Sequence, residues 1–158
     1  MTTKAGRVYV VRHAKAGSRS RWNGDDLERP LSKRGRTQAE RLVETLDDAR
    51  LGTIVSSPSL RCRETVEPLG AQRQLAVVTD DRLAEGAGSD GALVLVGELA
   101  GTGAVLCSHG DVISELLDRL RRTGVELGRE PTFEKGSVWE LTVGQKKIRR
   151  ARYLPPRA

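Results

Sequence analysis

Apolar and polar positions along the chain switch repeatedly between a strand period and a helix period. Arg7 to Arg12 is a β-branched run with one tyrosine and predicts a first, buried strand. Ala14 to Pro30 has no sustained periodicity, carries two glycines and many charges, and predicts a loop. Ser32 then stands as a helix N-cap before Ala39, Leu42, Val43 and Leu46, whose i, i+3, i+4, i+7 spacing lines one buried face. Gly52 closes that unit. Thr53 to Ser56 predicts a second strand, and Ser57-Pro58-Ser59 opens a second helix with Pro58 near its first turn. Cys62, Val66 and Leu69 form the inner stripe of that helix, Arg61 and Thr65 fall on a neighbouring face, and Gly70 marks its end.

Leu75 to Val78 predicts a third strand, followed by a polar, glycine-rich loop, Asp80 to Asp90, that carries Glu85. Asp90 can cap a short helix through Leu99. Glycines 101 and 103 turn the chain into a fourth strand, Ala104 to Cys107, which ends at Ser108-His109-Gly110. Asp111 can cap the next helix, whose Ile113, Leu116, Leu117 and Leu120 make an amphipathic face. Ser137 to Val143 and Ile148 to Leu154 alternate as strands and predict a hairpin around Gly144, with a loose tail from Pro155 to Ala158. Strands alternating with helices predict an α/β fold: a mainly parallel sheet with helices on both faces and a C-terminal hairpin. With no repeat and no low-complexity linker, the 158 residues read as one domain, 1–158.

Composition narrows the partners. The formal charge of +6 favours an anionic partner, although many basic domains are merely soluble. Aromatic residues make up only 3%, which argues against the stacking platforms of single-stranded nucleic-acid binders. The run Lys146, Lys147, Arg149, Arg150, Arg152 alternates with Ile148, Ala151 and Tyr153, so a charged edge strand is favoured over a nucleic-acid contact. Two isolated cysteines, no secretory apolar region and no apolar run near eighteen residues favour the cytosol, reduced thiols and no membrane contact. Cys62, on its helix's inner stripe, reads as a small buried hydrophobe. Trp22 and Trp139 read as packing residues, although Trp22 with Asn23 could line an entrance.

The polar residues that matter fall at strand ends. The chain's two histidines each follow an apolar strand, His13 after the first and His109 after the fourth. Arg12 precedes His13, Arg61 lies just past the second strand, and Glu85 lies past the third. Each alone is more often a satisfied or solvated side chain than a catalyst. Ligands of open parallel sheets sit outside the carboxyl ends of the strands, so the residues together predict one crevice built to hold a phosphoryl group. Spacing alone leaves His13 and His109 interchangeable as nucleophile. No metal or cofactor is expected: two histidines and two separated cysteines lack zinc-site spacing, and no Walker-type glycine loop is present.

Val11-Arg12-His13-Ala14, Ser56-Ser57-Pro58-Ser59-Leu60-Arg61-Cys62-Arg63-Glu64-Thr65, Leu83-Ala84-Glu85-Gly86 and Ser108-His109-Gly110 resemble, in order, the motifs of the histidine phosphatase (phosphoglycerate mutase-like) superfamily. Arg29-Pro30-Leu31-Ser32, then Gly35 and Gln38-Ala39, resemble the start of that family's first helix. The compact size is similar to the short, SixA-like phosphohistidine phosphatases of bacteria. Ser18 to Arg36 and Lys135-Gly136-Ser137-Val138-Trp139 also resemble the phosphatase-like C-terminal domain of some actinobacterial Nudix hydrolases. No Nudix box is present, so the domain would stand alone.

The resemblance implies a metal-independent phosphatase acting through a phosphohistidine on His13, with Glu85 as proton donor and an acidic to neutral optimum. Arg12, Arg61 and His109 would hold the phosphoryl oxygens, helped by backbone N–H groups of the helix after Pro58. Ala14 stands where the family most often has glycine. The family's polar phosphate contacts near Ser18 are not matched cleanly; Ser18 or Lys15 would take that role. Segments between motifs are short, with only Gly86-Ala87-Gly88-Ser89 between Glu85 and the next helix, so the crevice should be open. A bulky phosphomonoester or phosphoramidate, such as a phosphohistidine protein or a nucleotide, is the expected substrate. Arg19, Arg21, Lys33, Arg34 and Arg36 could steer it. The competing expectation is an idle binding module on the same fold, for nucleic acid or protein.

Overall fold

The computed structural model describes residues 6–129 and 131–157; Met1 to Ala5, Glu130 and Ala158, and with them both ends of the expected 1–158 domain, lie outside the described residues. One six-stranded sheet runs through the molecule in the order β3-β2-β4-β1-β5-β6. Its strands are β1 (Gly6–Arg12), β2 (Thr53–Ser56), β3 (Val77–Thr79), β4 (Ala104–Ser108), β5 (Val138–Gly144) and β6 (Lys147–Leu154). The first four are mutually parallel, while β5 pairs antiparallel with β1 and β6 antiparallel with β5. The expected mainly parallel α/β sheet with a C-terminal hairpin is therefore observed.

Alternation along β1 sends its side chains into two cores. Val8 and Val10 point into a core with helices α3 (Asp90–Leu99) and α4 (Gly110–Arg122), while Tyr9 and Val11 meet α1 (Lys33–Thr45) and α2 (Leu60–Arg73). Helices thus cover both faces of the sheet. The stripe Ile113, Leu116, Leu117 and Leu120 is buried as its spacing predicts. Each such side chain contributes on the order of 1.5–3 kcal/mol of burial.

Several local expectations shift. Gly70 does not end α2, which continues to Arg73 and stops at Gln74 in the left-handed conformation. Gly70 is needed for a close approach instead, since a Cβ there would lie 2.8 Å from the Leu75 carbonyl oxygen. Strand β3 begins at Val77 rather than Leu75. Pro58 precedes the helix, whose N-cap is Ser59. The N-caps of α3 and α4 are Ser89 and His109 rather than Asp90 and Asp111. The loop after β1 contains a short 3-10 turn, Asp26–Glu28. The hairpin turns at Gln145 and Lys146, both at positive φ, just past Gly144. Strand β6 is an edge strand carrying its cations outward. Trp139 packs on Tyr153, but Trp22 is 37% exposed and its indole only closes its own turn on the Asp25 carbonyl, so the packing expectation holds for one tryptophan alone.

Where α1 starts, backbone fits against backbone. The Lys15 carbonyl accepts from both the N–H and the hydroxyl of Ser32, and a Cβ at Gly35 would stand 1.9 Å from that carbonyl oxygen. Gly35→Ala should therefore lower stability by about 1–3 kcal/mol despite its better helix propensity. Urea unfolding checks this, and an unchanged midpoint would contradict the tight contact.

Candidate active site

The crevice lies at the carboxyl ends of β1 and β4, where the strand order reverses. Its volume is about 760 Å³, and Arg12, His13, Ser18, Glu85 and His109 are among the residues that line it. Strands β1 and β4 pair with Arg12 opposite Ser108, and the His13 N–H extends the ladder to the Ser108 carbonyl at 3.0 Å. The next residue on each strand is a histidine, and the two rings meet edge to face with centroids 5.4 Å apart. On the other side of β4, the Ser57 N–H reaches the Cys107 carbonyl, which sets the Ser57 hydroxyl 2.8 Å from His109 Nε2.

His13 Nδ1 lies 2.8 Å from the Ala14 carbonyl oxygen, a bond that only Nδ1–H can make, so the lone pair of the neutral ring sits on Nε2. Burial lowers the His13 pKa from 6.5 to about 3, with the charges of His109, Arg61 and Arg12 acting in the same direction against the Ala14 bond. The ring is therefore unprotonated at neutral pH. Arg12 spans the opposite wall: Nη1 donates to the Phe133 carbonyl at 2.9 Å and the guanidinium lies over the Phe133 ring. A Cβ at Gly110 would come within 2.8 Å of Arg12 Nη2, so glycine after His109 makes room for that fork.

Arg61 is 1% exposed and does not line the crevice wall. Its Nη2 bonds Glu85 Oε2 at 2.8 Å and Asp26 Oδ2 at 3.2 Å, while Nη1 donates to the Asp26 carbonyl at 2.9 Å. Arg19 adds a contact to Glu85 Oε1 at 3.1 Å. Partial burial acts to raise the Asp26 carboxyl, but the Arg29 hydrogen bond and the charges of Arg61, Arg29 and Arg19 hold it below the usual carboxylate range. Four buried side-chain polar atoms lack a partner among the described residues, and three of them are Arg12 Nε, Arg61 Nε and His109 Nδ1. The helix terminus at the crevice is that of α4, through Gly110 and Asp111; Pro58 to Arg61 do not line it, contrary to the expectation for α2. Ser18 lines the wall but is exposed, its hydroxyl against Ser20 at 3.0 Å. Cys62 is fully buried as expected, with Sγ 3.5 Å from His109 Nε2.

The profile of the histidine phosphatase superfamily (branch 1) matches residues 8–91, just over half of the sequence. The chain belongs to the histidine phosphatase superfamily. It is 36% identical over 154 residues to the 8-oxo-(d)GTP phosphatase of Mycolicibacterium smegmatis, an alignment covering 94% of this chain and 48% of that protein. The chain thus spans about half the length of that curated relative. Solved structures of the same fold include a candidate phosphohistidine phosphatase SixA from Nakamurella multipartita, at 22% identity and TM-score 0.78 over the full length of both chains. Another, from Agrobacterium tumefaciens, reaches TM-score 0.75 at 23% identity, over 98% of this chain and all of its own. No described helix is long and apolar enough to cross a membrane.

Within this superfamily frame, three residues in or against the site escape a sequence reading of strand ends. Asp26 sits in a stretch without periodicity, and its one signal is the acidic pair Asp25-Asp26, of which Asp25 caps the turn that presents Asp26. Ser57 is legible only as a residue ahead of a helix. Lys135 lines the crevice from a segment more than a hundred residues away from His13.

The depressed His13 pKa has a consequence for stability. Between pH 3 and 6.5 the unfolded chain binds the proton that the folded chain refuses, so this contribution is full above pH 6.5 and falls as pH drops through that window. The slope approaches about 1.4 kcal/mol per pH unit. His13→Gln should flatten it: on going from pH 7 to pH 5 in urea titrations, wild type should lose about 1–2 kcal/mol more than the variant. Equal losses would show that His13 is not held neutral.

Proposed function

We propose that this chain is a phosphatase that forms a phosphohistidine on His13 and needs no metal, and that residues 1–158 act as one such domain. The observation that carries the reading is a set of buried donors without a partner among the described residues, Arg12 Nε, Arg61 Nε and His109 Nδ1, on the three side chains whose charges act on His13, while the His13 Nε2 lone pair is free. Buried donors of this kind want an anionic acceptor, and a phosphoryl group brings three oxygens. Ser57 strengthens the case. Its hydroxyl oxygen accepts from the Ser59 N–H at 3.3 Å, so its own proton can go to His109 Nε2, which leaves the imidazole proton on Nδ1 as a donor to phosphate.

In the first step His13 Nε2 attacks phosphorus in line, the bond from phosphorus to the leaving oxygen breaks, and Glu85 gives that oxygen a proton. The incoming phosphoryl oxygens compete with Glu85 for Arg61, freeing Oε2 for this role. Water then attacks phosphorus with Glu85 taking its proton, the P–N bond breaks, and neutral His13 returns. Arg12, Arg61 and His109 stabilise the charge on the equatorial oxygens throughout, and Ser18 adds a contact from the rim. A carboxyl donor gives an acidic to neutral optimum.

The leaving group is bulky. Only Gly86 to Ser89 separate Glu85 from α3, and the Gly86 N–H is bonded to Asp111 at 2.8 Å, so this segment is too short to close over the crevice. Phosphomonoesters or phosphoramidates on a nucleotide or a phosphohistidine protein suit such a site. The relative named 8-oxo-(d)GTP phosphatase weights the nucleotide side, and the SixA-like fold relatives weight the phosphohistidine side.

Para-nitrophenyl phosphate with EDTA present tests the mechanism. Wild type should turn over and yield an acid-labile phosphoenzyme; His13→Ala should lose both, with a rate at least about a thousandfold lower. Glu85→Gln should cost far more with an alkyl phosphate than with the nitrophenyl ester, whose leaving group needs little protonation. Equal turnover by wild type and His13→Ala would sink the phosphohistidine mechanism, no turnover by either would leave only a binding module, and a flat rate from pH 5 to 9 would remove Glu85 as donor.

A further inference from the structure

Five cations and two carboxylates line the crevice: Arg12, Lys15, Arg19, Arg29 and Lys135 against Glu85 and Asp111. Three of the cations are engaged by the protein. Arg12 is tied to the Phe133 carbonyl, Arg19 to Glu85 and Asp26, and Arg29 to Asp26 and the Gly17 carbonyl. Asp111 accepts from the Gly86 N–H. Lys15 and Lys135 form no ion pair among the described residues.

The two lysines are brought together by one side chain. Gln38 Oε1 accepts from the Lys15 N–H at 2.9 Å, and Gln38 Nε2 donates to the Lys135 carbonyl at 3.4 Å. The Lys135 segment is further fixed because the Gly136 N–H bonds the Arg12 carbonyl and the Arg12 N–H bonds the Ser137 carbonyl. Two exposed lysines, 120 positions apart in sequence, therefore line one rim next to the strand that carries His13. Burial, and after it the charges of Arg12, Lys15, Arg29 and Arg19, lowers the Lys135 pKa. Cations that share a rim repel one another, and an anion bound between them relieves that repulsion.

We propose that Lys15 and Lys135 form a second phosphate subsite beside the reacting phosphoryl position, so that the substrate presents a phosphoanhydride chain and loses its terminal phosphoryl group. This inference rests on the phosphatase reading above and names its substrate class as an organic diphosphate. His13 Nε2 then bonds to the terminal phosphorus, the bridging P–O bond breaks, and its electron pair stays on the bridging oxygen, which becomes a terminal oxygen of an organic monophosphate. Water later cleaves the P–N bond and releases orthophosphate. The lysines neutralise the charge that grows on the departing phosphate, which a carboxyl donor alone does less well for so acidic a leaving group.

Calorimetric titration with three non-hydrolysable probes tests the subsite without turnover. Methylenediphosphonate should bind about tenfold or more tighter than methylphosphonate, and phosphonoacetate should fall well short of it. Lys135→Met and Lys15→Met should each shrink the ratio of diphosphonate to phosphonate affinity, and the double variant should bring it near one. Equal affinity of the two phosphonates, a ratio that survives the double substitution, or phosphonoacetate matching the diphosphonate would each overturn the proposal, the last by showing a carboxylate subsite. The ratio is internal to each protein, so a general loss of affinity cannot imitate the result. A ratio near one in the wild type with phosphoenzyme formation intact removes the subsite alone; absence of phosphoenzyme removes the phosphatase reading, and the binding ratio still decides the subsite.

Discussion

The backbone bond from the His13 N–H to the Ser108 carbonyl is the constraint on which the rest of the site depends. It continues the parallel ladder of β1 and β4 one residue past their ends, and so fixes which side chains emerge together. A slip of one residue would send each histidine to the other face of the sheet and separate the rings. Because β4 also pairs with β2, the same ladder brings Ser57 under His109. Three strand ends from distant parts of the chain thus share one frame, held by main-chain bonds that no single side-chain substitution removes.

Charge is distributed on that frame in two layers. A neutral His13 is buried among cations, and its neutrality is what permits their density. Behind it, the guanidinium of Arg61, almost wholly buried, is matched by Glu85 and Asp26, whose side chains are each 43% exposed. Removing one carboxylate would leave a buried charge with half its compensation, a costlier change than losing a surface ion pair. The carboxylates therefore hold Arg61 in place.

Much of this was legible before any coordinates. The strand and helix order followed from the change of hydrophobic period, and His13, Glu85 and His109 could be picked out because strand ends point ligand-binding residues into one crevice. Gly70 misled because a glycine late in a helix reads equally as a stop or as a close approach, and only the Leu75 carbonyl decides between them. Asp111 looked like a cap, yet its carboxylate is turned to Gly86. Asp26 and Lys135 were out of reach for a different reason: their roles come from tertiary contacts of aperiodic segments, and a sequence pattern carries no record of which loops fold together.

The bond between the Gly86 N–H and Asp111 ties the short segment over the crevice to the first turn of α4, the element that grows directly out of His109. A segment anchored in this way has less freedom to swing than a mobile lid does. Any anion that approaches the crevice then meets the field of the rim cations first, a field that salt screens.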